Sequence, residues 1–90
     1  MHDDKVQLLD VRRADEFEAE HLPNAMNIAH TRLLAELDKI PKDKPLLVYC
    51  LSGGRSAYAT GMLQSHGFDA TQLDGGYEAW QKAGGEVIVG

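Results

Sequence analysis

The sequence has a single cysteine, Cys50, among its 90 residues. A lone cysteine cannot close an intrachain disulfide, which excludes a disulfide-stapled scaffold, agrees with a reducing compartment and leaves one thiol to account for. Long apolar runs are also lacking. None approaches the roughly eighteen residues of a membrane span, and the charged start Met1-His2-Asp3-Asp4-Lys5 has no signal-peptide-like apolar segment, so the expected location is the cytoplasm with no membrane partner. No basic stripe is present: nine lysines and arginines stand against fourteen acids, and the net charge of −5 argues against nucleic acid as a partner. The four histidines are scattered without the spacing of metal ligands, so no metal site and no cofactor are expected. A Walker A loop is excluded by the absence of Gly-Lys-Ser or Gly-Lys-Thr. With no internal repeat, low-complexity stretch or dividing linker, residues 1–90 read as one domain with a modest core.

What remains is an ordinary globular composition, 43% apolar and 26% charged. Val6 to Val11 reads as a strand buried on both faces of a parallel sheet. Asp15 is expected to cap a short helix with Glu18 as its capping-box partner, His21 falls in the last turn, and Leu22-Pro23-Asn24 ends it. A brief strand at Ala25 to Ile28 follows, then a helix with Thr31 as its N-cap and Leu33, Leu34 and Leu37 on one side. Beyond the break from Pro41 to Pro45 come a strand at Leu46 to Tyr49 and a helix from Ser56 to His66. That helix turns Ala59, Met62 and Leu63 inward and is closed by Gly67 as a left-handed cap. Ala70 to Leu73 is a short strand, Asp74-Gly75-Gly76 a turn, and Tyr77 to Ala83 a last helix ended by Gly84-Gly85. The tail Val87-Ile88-Val89 fits either an edge strand or an apolar strap over the core. Strands alternating with helices define an α/β protein, a small parallel sheet of about four or five strands with helices on both faces. Such sheets hold ligands at the carboxyl ends of their strands, where Asp10 and Cys50 both fall.

The stretch Cys50-Leu51-Ser52-Gly53-Gly54-Arg55 joins the third strand to its helix. A thiolate at Cys50 would face a row of backbone N–H groups, the positive end of a helix dipole and the Arg55 guanidinium. A cysteine so placed commonly has a pKa between about 3.5 and 7.5. Gly53 and Gly54 allow positive φ or close backbone approach, and Ser52 and Ser56 add hydroxyl donors. The same cradle would hold a persulfide, Cys50-S-S⁻, which points to sulfur transfer. The plainer reading makes Cys50 a small buried hydrophobe, since free cysteine is among the most buried residue types, and the Gly-Gly-Arg sequel weighs against it. Phosphate chemistry is a further alternative. Cysteine-dependent phosphatases also bracket an amide-lined loop with cysteine and arginine, but with five residues between the two, whereas four separate Cys50 from Arg55. The shorter ring suits a sulfur atom better than a phosphoryl group.

With these residues in view the chain resembles a single-domain rhodanese, a sulfurtransferase homology domain. The likeness extends over Leu9-Asp10-Val11-Arg12, Glu16-Phe17, His21-Leu22-Pro23-Asn24-Ala25, Asn27-Ile28, Val48-Tyr49-Cys50, Ser52-Gly53-Gly54-Arg55-Ser56 and Leu73-Asp74-Gly75-Gly76 with Trp80. The resemblance implies a ping-pong cycle on Cys50: a donor such as thiosulfate or a low-molecular-weight persulfide gives up sulfane sulfur, and a thiol, sulfite or cyanide removes it. It implies a binding loop of Leu51, Ser52, Gly53, Gly54, Arg55 and Ser56, with Asp10, Arg12 and Glu16 in support. His21 reads better as a ring bonded to local backbone than as a proton shuttle, and Tyr77, Trp80 and Met62 as core. Members that favour thiosulfate often have a basic residue after the cysteine, so Leu51 directs the expectation towards persulfide donors. Only five residues precede Val6, where the family usually has a further element, which implies a trimmed form or a domain from a longer polypeptide. Ala29-His30-Thr31-Arg32-Leu33 together with the loop is similar to rhodanese domains fused to metallo-β-lactamase-like persulfide dioxygenases, so a fused or partner domain is one expectation. A non-catalytic binding or regulatory module of a multidomain protein is the alternative from a different class.

Overall fold

The computed structural model describes residues 6–22, 24–50, 54–73, 76, 80, 84–85 and 88–89. Four short strands form a parallel sheet: β1 (Gln7–Asp10), β3 (Met26–Asn27), β4 (Leu46–Tyr49) and β5 (Ala70–Gln72), in the spatial order β3-β1-β4-β5. Leu9 lies opposite Val48 and Asp10 opposite Tyr49, so the two central strands end level with each other. Strand alternation sends Leu9, Leu46, Val48 and Ala70 to one face, where they pack with Ala59 and Leu63 of the helix α2 (Gly54–Ser65). Leu8 and Tyr49 point to the other face, packing with Leu22, Leu73 and the helical Trp80. Burial on both faces is what the near-continuous apolar strands anticipate.

The helix α2 buries Ser56, Ala59, Thr60 and Leu63, the i, i+3, i+4, i+7 stripe of a helix laid on a sheet. It ends as expected at Gly67, whose φ of +88° suits glycine. Gly67 N–H donates to the Gln64 carbonyl at 3.1 Å and Phe68 N–H to the Leu63 carbonyl at 3.1 Å, the two bonds of a Schellman motif. Phe68 and Leu63 share the core beneath it.

Two helical expectations need correction. The helix α1 (Ala14–Ala19) starts after Arg13, not at Asp15, and the carboxylate that reaches back is Glu16, whose Oε1 accepts the Arg13 N–H at 3.0 Å. Thr31 does not cap an α-helix. The segment forms two 3₁₀ stretches, His30–Arg32 and Leu34–Lys39, with i to i+3 bonds such as Glu36 N–H to the Leu33 carbonyl. His30 N–H is taken by the Val11 carbonyl at 3.0 Å, so the end of β1 performs the capping assigned to Thr31, and Leu34 is 63% exposed while Leu33 is fully buried.

Of the two readings of the tail, strand pairing is observed, away from the parallel sheet. The strand β6 (Ile88–Val89) pairs antiparallel with β2 (Glu20–His21), His21 opposite Ile88. The Asp74-Gly75 turn, most of the Tyr77–Ala83 helix and Val87 lie outside the described residues. Gly84 has the φ of +79° expected of a helix-ending glycine, and Gly85 N–H bonds the Trp80 carbonyl at 3.0 Å. A Cβ at Gly85 would lie 2.3 Å from Cε2 of the Trp80 indole. Gly85→Ala is therefore expected to lower the unfolding free energy by about 1 kcal/mol, by displacing an indole packed on Leu8 and Leu22. An unchanged urea midpoint would show that the indole moves aside without cost.

Candidate functional site

The chain leaves the two central strands in opposite directions, β1 leading to β3 on one side and β4 to β5 on the other. This is a topological switch point, where a parallel sheet opens a crevice beyond its strand ends. Asp10 and Cys50 both stand there, and Val11 N–H continues the pairing to the Tyr49 carbonyl at 3.0 Å.

Alternation along Leu46, Val48 and Cys50 turns the cysteine towards α2, and its residue is only 1% exposed. The sulfur meets the first turn of that helix. Ser56 N–H donates to Sγ at 3.4 Å, and the thiol donates to Ser56 Oγ at 3.4 Å. Amides of a first helical turn have no intrahelical acceptor, and the dipole there favours negative charge. A sulfur anion at this place keeps the Ser56 amide and gains its hydroxyl as a second donor, by rotation of one O–H bond.

Arg55 is held by Glu16 across the site. Its Nη1 donates to Oε1 at 2.9 Å and Nη2 to Oε2 at 3.3 Å, both residues being about half-buried. The Arg55 hydrogen bond, with help from the Arg13 N–H and against some burial, pulls the Glu16 pKa down to about 2. The same bond raises the Arg55 pKa, with the charge of Cys50 contributing in the same direction, so the guanidinium lies within the field of the sulfur.

Asp10 and Arg12 form a buried pair beside the sulfur strand. Arg12 Nη2 donates to Oδ2 at 2.8 Å and its backbone N–H to Oδ1 at 2.8 Å, tightening the turn out of β1. Burial works against the charge of Arg12, yet the Asp10 carboxylate more than offsets it and raises the guanidinium pKa. The Arg12 guanidinium also lies 5.9 Å from the Tyr49 ring centroid. Burial pushes the Tyr49 phenol up, and its oxygen accepts the Leu22 N–H at 3.2 Å. Asn27 Nδ2 donates to the carbonyls of Asp10 and Arg12, both at 3.0 Å.

Of the residues read from sequence, Cys50, Arg55 and Ser56 converge at one end of the sheet with Asp10, Arg12 and Glu16 around them. Leu51, Ser52 and Gly53 lie outside the described residues. Gly54 departs from expectation: it is helical without positive φ, and a Cβ there would meet nothing within 4 Å, so neither a special φ nor close approach requires glycine. His21 donates Nδ1–H to the Phe17 carbonyl at 2.9 Å and stacks on the Phe17 ring. Gln72, Asn27 and Tyr49 are additions from the structure. Gln72 Nε2 donates to Ser56 Oγ at 3.1 Å. Among the described residues no three His, Cys, Asp or Glu side chains gather as metal ligands, and no helix is long and apolar enough to cross a membrane.

The fold and the site define a parallel α/β protein that presents a cysteine to a helix N-terminus at its switch point. The chain belongs to the rhodanese-like domain family, which matches residues 1–83. It is 36% identical over 77 residues to the thiosulfate sulfurtransferase GlpE of Coxiella burnetii, covering 84% of this chain and 72% of that one. Among solved structures, a rhodanese-related protein of Thermoplasma volcanium superposes with a TM-score of 0.91 at 29% identity, covering 96% of this chain and 86% of the other. A Rhodopseudomonas palustris protein of unknown function, described as a possible tyrosine phosphatase, gives a TM-score of 0.83 at 26% identity, covering 94% and 72%.

Proposed function

We propose that the protein is a sulfurtransferase that carries sulfane sulfur on Cys50 as a persulfide. The observation that carries this reading is the convergence of the Ser56 N–H and hydroxyl on Cys50 Sγ, each at 3.4 Å. In the first half-reaction the Cys50 thiolate attacks the sulfane sulfur of the donor. A bond forms between the two sulfurs, the donor's own S–S bond breaks, and its electron pair leaves with a thiolate or, from thiosulfate, with sulfite. In the second, a thiol, sulfite or cyanide attacks the outer sulfur and the pair returns to Cys50. No external oxidant or reductant is needed. The Ser56 amide and hydroxyl stabilise both anionic forms, Arg55 biases the field, and Asp10, Arg12 and Glu16 hold the surrounding turns in register. A carrier whose sequence has a single cysteine suits a reducing compartment, here the cytoplasm.

Thiosulfate is the donor in the name of the Coxiella burnetii relative. In this chain the residue after the cysteine is the apolar Leu51, where family members that favour thiosulfate often have a basic residue, and this favours a glutathione persulfide donor. Intact mass after brief incubation with either donor tests both points. The wild type is expected to gain one sulfur atom, faster from glutathione persulfide than from thiosulfate, and Cys50→Ala to gain none. No adduct on the wild type would leave the chain a binding module, and equal loading of Cys50→Ala would place the sulfur elsewhere. The Rhodopseudomonas palustris neighbour supplies the second reading, and turnover of an aryl phosphate that disappears in Cys50→Ser would support it.

A further inference from the structure

We infer that Gln72 is a positioning residue for the sulfur chemistry, acting through Ser56: its side-chain amide turns the Ser56 hydroxyl into a donor for the sulfur anion. The inference rests on the sulfur-transfer reading of Cys50. Gln72 is the last residue of β5 and lies opposite Val48, two residues before the cysteine. Its Nε2 donates to Ser56 Oγ at 3.1 Å, and Ser56 is fully buried with that oxygen 3.4 Å from Cys50 Sγ.

A hydroxyl oxygen has one proton and two acceptor positions. With Cys50 as a thiol, Ser56 Oγ accepts from both Gln72 and the S–H. When the sulfur loses its proton, or carries a second sulfur as a persulfide anion, it needs donors. Because Gln72 continues to fill one acceptor position, the hydroxyl proton is the part of Ser56 that can turn to the sulfur. The amide also polarises the O–H, strengthening the bond it makes, as in hydrogen-bond chains generally. A carboxylate at position 72 would reverse this order, accepting the hydroxyl proton and drawing it off the sulfur.

The test is Gln72→Glu, with Gln72→Met as an uncharged control of similar length and Ser56→Ala as the background that removes the relay. Among the described residues the charged groups at this end of the sheet are Arg55 on α2, Glu16 on α1 and the Asp10–Arg12 pair at the end of β1, and none is altered. Because Cys50 is the only cysteine, its thiolate absorbance against pH, taken as a difference from Cys50→Ser, gives the thiol pKa without any turnover. Gln72→Glu is expected to raise that pKa by about one unit and to lower kcat for sulfur transfer about tenfold with donor KM little changed. Gln72→Met is expected to give a smaller rise in the same direction. In the Ser56→Ala background Gln72→Glu should cost less than about twofold, since the residues act as a unit.

A wild-type thiol pKa in Gln72→Glu would overturn the inference, because the side-chain oxygen and not the amide would then be what meets Ser56. The same tenfold loss in the Ser56→Ala background would also overturn it, by making the effect one of charge through space. If the wild type takes up no sulfur but the pKa differences appear as described, the sulfur-transfer reading fails and the relay stands. If sulfur is loaded and the pKa values coincide, the relay alone fails. Far-ultraviolet circular dichroism confirms that each variant compared is folded.

Discussion

Asp10→Ala is expected to lower the unfolding free energy by about 3 to 5 kcal/mol and the thermal midpoint by roughly 15 to 30 °C. Asp10 is fully buried and Arg12 is 4% exposed, so removing the carboxylate leaves a guanidinium in a site almost closed to water. Arg12 keeps its bond to the Glu20 carbonyl at 2.5 Å and its place near the Tyr49 ring, but neither is a counter-charge. For a domain of this length, whose total stability is on the order of 5 to 13 kcal/mol, the loss is a large fraction. The pair itself is not thereby a strong net stabiliser. Taking two charges out of water offsets most of their attraction, so the double replacement Asp10→Leu with Arg12→Met is expected to recover most of the lost midpoint. Thermal unfolding of the wild type, the single variant and the double variant checks this. A double variant as unstable as Asp10→Ala would show that the shape of the turn, fixed by Arg12 N–H on Asp10 Oδ1 at 2.8 Å, matters more than charge balance.

The same turn is largely legible in the sequence. Val6 to Val11 reads as a doubly buried strand because its apolar run has a single carboxylate near the end, and the sheet sets Asp10 opposite Tyr49, the residue before Cys50, at the switch point. The helix after Cys50 was equally legible, since Ala59, Leu63 and Gly67 give its inner face and its end by local rules alone. Where local rules tie, distant partners decide. Asp15, Glu16 and Glu18 all offer carboxylates to the start of α1, and Glu16 is selected because Arg55, 39 residues away, holds both of its oxygens. Leu33, Leu34 and Leu37 fit a helical stripe, but the bond from His30 to Val11 fixes the start of that segment and the chain winds as 3₁₀ turns with Leu34 outward. Gln72 had a signal that could have found it. Ala70 and Gln72 are two apart in a strand, so a buried Ala70 on the α2 face puts Gln72 on that face at the carboxyl end, within reach of the helix N-terminus.

The second large effect concerns acid. A folded pKa near 2 for Glu16, against an ordinary value of 4.5, corresponds to at most about 3 kcal/mol, which partial exposure of the Arg55 pair screens to about 2 kcal/mol. Because the folded value is the lower one, this contribution is fully present above about pH 4.5 and is lost as the pH falls through about 2. Glu16→Ala is therefore expected to be less stable than the wild type by about 2 kcal/mol at pH 7, and the two unfolding curves should converge as the pH falls towards 2. Urea unfolding at a series of pH values reads this directly, and a difference independent of pH would trace the loss to the start of α1 rather than to the ion pair. The pair also ties stability to chemistry. Glu16 Oε1 accepts both the Arg13 N–H at 3.0 Å and Arg55 Nη1 at 2.9 Å, so one carboxylate fixes both the entry to α1 and the guanidinium in the first turn of α2. Releasing Arg55 in Glu16→Ala should slow sulfur loading of Cys50 at pH 7, whereas Asp15→Ala, which frees only the exposed Arg13 side chain, should leave loading unchanged.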